Sequence, residues 1–143
     1  MRKILSVCLF ATLFVGFTAC EKENNETAEK LDGNWKIEKI TKAAGPVDES
    51  SMPLDVSLEA CKVNRGECDG NWVSNNGDEA PFHWTVADDG QILSIIPIPD
   101  LPSNQATSDL AEFKGDYDIV ELTDVKLVIK RDQITIEFSQ EEG

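Results

Sequence analysis

Histidine is nearly absent from this sequence: His83 is the only one in 143 residues. Every Ser-His-Asp constellation or imidazole metal site has to pass through that one side chain. No Gly-x-Ser-x-Gly elbow, phosphate-binding glycine loop or Cys-x-x-Cys pair occurs either, which removes the usual signatures of hydrolase, nucleotide and zinc chemistry. Basic residues are scarce, 13 Lys and Arg against 27 Asp and Glu. Phosphate recognition needs clustered cations, so nucleic acid is excluded as an expected partner. The only long apolar run, Ile4 to Phe17, falls short of the ~20 residues a spanning helix needs.

That run has a different use. Arg2 and Lys3 precede it, and the small residues Thr18, Ala19 and Cys20 follow, the plan of an export signal. Phe17-Thr18-Ala19-Cys20 resembles a bacterial lipobox, with Phe17 where Leu is preferred. The resemblance implies removal of residues 1–19 and acylation of Cys20, palmitate included. Several acyl chains at ~0.8 kcal/mol per buried methylene hold a protein on a bilayer without a transmembrane helix. Glu21 after the cysteine and the acidic, Asn-rich stretch that follows are similar to the sorting and export signals of surface lipoproteins in Bacteroides-type bacteria. The expected location is the outer membrane, at the cell surface ahead of its periplasmic leaflet or secretion. Residues 20–30 hold no aromatic or branched aliphatic residue and are expected to form a flexible tether.

Without Arg2 and Lys3 the chain keeps 11 basic residues against 27 acidic ones, a formal charge of −16. Such a charge favours solubility and is read first as a solvated exterior, with basic partners as the alternative. Cys8 lies in the removed segment and Cys20 is the acylation site, leaving Cys61 and Cys68. In an exported protein a remaining pair points to a disulfide, here closed around the turn Asn64-Arg65-Gly66, with two free thiols or a redox pair as alternatives.

From residue 31 onward the chain reads as strands. Gly33 permits a turn, then Trp35 and Ile37 alternate with Lys36 and Glu38. Further strands are expected over residues 54–63, around Cys68 to Val73, over 81–87, 91–98, 116–122, 125–130 and 133–139, with hairpin turns at Asn75-Asn76-Gly77-Asp78, Asp88-Asp89-Gly90 and Arg131-Asp132. The apolar run Ile92 to Ile98 predicts cover on both sides near its end. Two long connections, 43–53 and 99–113, interrupt the series, and the second holds room for one helical turn from Ser108 to Phe113. Eight strands with no helix long enough to cover a sheet must close on themselves or form two layers. The predicted fold is all-β, an eight-stranded antiparallel up-and-down barrel over residues 31–143, with a sandwich as the rival.

Leu31-x-Gly33-x-Trp35, Cys61, Phe82-x-Trp84 and the closing Ile119-x-x-Leu122-Thr123-x-x-x-Leu127, in this order after a lipobox, resemble the lipocalin-like lipoproteins of Bacteroides-type bacteria. The resemblance implies a small calycin-like barrel whose bottom is closed by Trp35. It brings no substrate and no cofactor. The basic residue that commonly packs on that indole from the last strand is missing among Gln133, Thr135 and Glu137.

Two functional readings follow. Trp35, Trp72, Phe82 and Trp84 line a pocket for a small apolar ligand, with the two long connections over its mouth, or they fill the barrel and the protein serves as an accessory or interaction module. Catalysis ranks last, because His83 alternates with Phe82 and Trp84 and therefore faces outward. Asp88-Asp89-Gly90 lacks the ligand spacing of a calcium loop and is read as a turn.

Overall fold

Alternation with a period of two makes each strand segment a ribbon with one apolar side, and that side has to be hidden. The computed structural model describes residues 16–142, and side chains from residue 21. Most of the predicted signal segment lies outside the described residues, and nothing is described of the Cys20 side chain.

The strands are β1 (Gly33–Lys42), β2 (Gly45–Pro46), β3 (Asp55–Leu58), β4 (Cys68–Val73), β5 (Glu79–Ala87), β6 (Ile92–Pro97), β7 (Gly115–Leu122), β8 (Lys126–Arg131) and β9 (Ile134–Gln140). The two-residue β2 only folds back on the end of β1. The other eight pair antiparallel in chain order, and β1 meets β9 from Trp35↔Gln140 to Thr41↔Thr135. This contact closes the eight-stranded up-and-down barrel that the alternation predicts. A register shift between Ile37 and Lys39 returns Ile40 to the interior, in line with Trp35 and Ile37.

Three boundaries differ from the sequence reading. The strand expected over 54–63 ends at Leu58, and the chain then loops out through a 3-10 turn, Val63–Arg65, before returning at Cys68. Cys61 and Cys68 close this excursion as a disulfide, with Cα atoms 5.4 Å apart. The second helix, α2 (Gln105–Phe113), starts three residues before Ser108, because Asn104 and Thr107 cap it reciprocally through side chain and backbone. The third difference is the largest. Residues 21–30, expected to be a tether, belong to α1 (Gly16–Leu31). Ala28 and Leu31 are fully buried and Asn24 and Thr27 half-buried, an i, i+3, i+4, i+7 stripe that seats the helix on the barrel.

Both long connections, 43–53 and 98–114, leave from the barrel end where β1 and β6 finish, and α2 crosses that end. α1 crosses the opposite one, touching the β5–β6 turn and the disulfide loop. The expected two-sided cover of β6 is met at one residue: Ile98, just past the strand, lines a groove with Leu110 of α2, while Ile92 and Ile96 stay half-exposed on the outer face.

Candidate functional site

The interior is the first place to look in a barrel of this size, since eight strands leave room for side chains or one small ligand. All four sequence-selected aromatics are there. Trp35, Trp72 and Trp84 have no exposed surface and Phe82 almost none. Trp35 Nε1–H donates to Leu31 O at 2.8 Å, and Trp84 Nε1–H to Asp69 O at 2.8 Å. The register fits large against small: Trp72 stands opposite Ala80, and Phe82 opposite Gly70. A Cβ at Gly70 would come within 2.7 Å of Phe82 Cζ and 2.9 Å of Ser57 O, so the ring fills the space a side chain would need. What remains among Trp35, Trp72, Phe82 and Phe138 is a void of about 10 Å³, at the lower limit for one water molecule. The four aromatics form a packed core, and a ligand at this place has to displace one of them.

The α2 end carries the remaining chemistry. Phe113 stacks on Trp72 with centroids 5.7 Å apart and planes at 16°. Lys42 lies over the Phe113 ring at 5.4 Å and pairs with Glu112. Arg131 sits 4.9 Å over Tyr117 and donates from Nη2 to Glu112 O. Tyr117 in turn donates its hydroxyl proton to Phe113 O at 2.8 Å, and burial pushes its pKa up to about 12 against the pull of Arg131. At its other terminus α2 is held by Asp78, whose Oδ2 accepts from the Gln105 backbone N–H at 2.9 Å. That bond and a second from Asn76 keep the Asp78 carboxyl below the ordinary range. The helix is therefore pinned at both ends, over Trp72.

Asp109 lies in the middle of this lid, at 9% exposure. Its Oδ1 accepts from Gln105 Nε2 at 2.9 Å. Burial pushes its carboxyl above the ordinary value, helped by Glu112 and opposed by Gln105, Trp72 and Lys42. The Trp72 indole N–H faces this carboxylate closely enough to favour its charge, yet it makes no hydrogen bond of full geometry and is buried without a partner. Because the folded pKa is raised, the stability tied to this group is complete below the unfolded value and is lost as pH rises through the folded one. Asp109→Asn should thus stabilise the protein at pH 7 by about 1 kcal/mol, a few degrees of Tm. The gain should vanish below about pH 4, and thermal scans at both pH values check it.

His83 lies on the outer face, with Nδ1 3.0 Å from Asp69 Oδ1 across the β4–β5 ladder. A helical turn within the second long connection was expected from the sequence, but its full length as α2 and the Asp109 group were not. The available signal was the Asn104-x-x-Thr107 spacing followed by Leu110 and Phe113 three and six residues further on.

No known family profile and no curated protein matches this chain. Among solved structures it is similar to a lipocalin-like protein from Bacteroides uniformis, at 19% identity and a TM-score of 0.53, covering 78% of this chain and 99% of that one. A second similar structure is an uncharacterized protein from Bacteroides eggerthii, at 16% identity and a TM-score of 0.47, with the same coverage of both chains. The barrel closure and the first of these likenesses together establish that this chain has a lipocalin-like fold.

Proposed function

We propose that this protein is a lipid-anchored accessory module of the outer membrane, displayed at the cell surface, whose barrel serves as a rigid body rather than as a container. The observation that carries the reading is the filled interior: a void of about 10 Å³ beneath Trp35 and Trp72 set against the ~300–1,000 Å³ of a small-molecule site. The acidic exterior, −16 for the chain from residue 20 onward, supports docking on a basic surface of a partner protein, with steering that weakens as salt rises. Cys20 and the acidic residues after it support the anchor and the location.

Tryptophan fluorescence titrated with fatty acids, bile acids and haem tests the filled barrel. The expected response is flat, since all three indoles are sealed; saturable quenching by any of them would restore the ligand-carrier reading. Capture from the native outer membrane tests the docking. A defined protein that releases at high salt is expected, and recovery of the barrel alone would remove that half of the proposal.

A further inference from the structure

The reading of residues 20–30 as a leash allows the barrel any orientation at its membrane. A disordered stretch of that length spans on the order of 18 Å root-mean-square and transmits no direction. The structure has a docked helix there, held at three points around one rim of the barrel. Asn24 Oδ1 accepts from the Gly90 backbone N–H at 2.7 Å in the β5–β6 turn. Asn25 Nδ2 donates to Asn64 Oδ1 at 3.3 Å, and Lys62 Nζ reaches Glu29 at 3.4 Å, both within the loop that the Cys61–Cys68 disulfide closes. Leu31 is buried, and its carbonyl accepts the Trp35 indole proton. The α1 backbone continues through position 20, about one helical turn, or ~6 Å, before Asn24. The outward side of the helix carries Glu21, Lys22, Glu23, Glu26, Glu29 and Lys30, which suits the headgroup layer and not the acyl layer.

Resting on the reading of Cys20 as acylated, we propose that α1 is a rigid mount: it fastens the lipid to one end of the barrel, so that the protein stands on the bilayer with its α1 end down and α2 facing away. The helix is the connection and the orienting device at once, and the disulfide loop is part of its seat. The surface offered to a partner is then the α2 end, where Asp100 and Glu112 are exposed, and not the rim beneath α1.

The full chain, processed in cells and reconstituted into phosphatidylethanolamine and phosphatidylglycerol vesicles, tests this. Incorporation of labelled palmitate, abolished by Cys20→Ser, reports the anchor. Single fluorophores at Asp124→Cys, in the β7–β8 turn on the α1 end, and at Ala111→Cys on α2 then report transfer to an acceptor in the headgroups. The two positions lie about 25 Å apart along the barrel, so severalfold stronger transfer from residue 124 is expected. Equal transfer from both, with palmitate present, overturns the mount alone; no palmitate overturns the anchor and the mount with it. Gly90→Val should equalise the two signals, because a Cβ there would overlap Thr27 Oγ1 and approach Glu23 O to 3.1 Å. Ala28→Asp, which leaves the barrel strands untouched, repeats the test from the helix side. If transfer still differs in both variants, α1 does not set the orientation.

Discussion

Trp35→Ala is expected to cost about 3–5 kcal/mol, the range for deleting a fully buried large side chain. The indole has no exposed surface, stands opposite Val56 and Gln140 in its two ladders, and borders the small void already present in the core. The strands around it are joined into a closed ring and cannot collapse inward without breaking ladder bonds, so the vacated volume stays open. Its N–H also caps the end of α1 through Leu31 O, and the variant should lose protection from amide exchange over residues 24–31 as well as global stability. Trp35→Phe keeps most of the volume and loses the hydrogen bond, so a loss nearer 1–2 kcal/mol is expected. Urea unfolding of the three proteins checks the order. A Trp35→Ala midpoint within error of the parent would mean that the barrel is not held from within.

The second large effect is expected on opening the disulfide. Joining Cys61 to Cys68 closes a loop of eight residues, worth about 2.5 kcal/mol on the chain-entropy account. Cys68 points inward beside Trp84 at 1% exposure, whereas Cys61 is half-buried against the core. Replacing both by serine adds a buried hydroxyl at position 68, so Cys61→Ala with Cys68→Ala is the cleaner pair. The loss should fall unevenly. Asn64 and Lys62, which receive α1, sit inside the closed loop, and α1 should exchange its amides faster before the barrel strands do. Hydrogen exchange with and without the bridge measures this, and a uniform change across all strands would separate the disulfide from the α1 seat.

Strand positions were legible because the relevant physics is local. Trp35 and Ile37, Phe82 and Trp84, and Ile136 and Phe138 all alternate with polar residues, and the two-residue period of a strand sends the named side chains inward. The hairpin at Asp88-Asp89-Gly90 was legible for the same reason, and both aspartates there adopt positive φ. α1 was hidden because its buried stripe, Asn24, Thr27, Ala28 and Leu31, holds only one large apolar residue. A helix seated by hydrogen bonds and small side chains looks in sequence like a solvated leash. The early end of β3 at Leu58 was hidden because the apolar spacing of Val56, Leu58 and Ala60 continues past the last ladder bond, and only the partner strand decides where pairing stops.

By itself the sequence determined the inward side of β1, β5 and β9 and singled out Cys61 and Cys68 as the pair to be joined, since each follows from neighbours a few residues apart. Whether the ring of strands would be hollow was decided only in three dimensions. Trp72, Phe82 and Phe113 lie far apart in the chain, and the volume left between them depends on the register that sets Phe82 against Gly70 and on the helix that lowers Phe113 onto Trp72. No local period encodes such a sum of volumes, which is why the same aromatics read both as a core and as a pocket until the barrel closed around them.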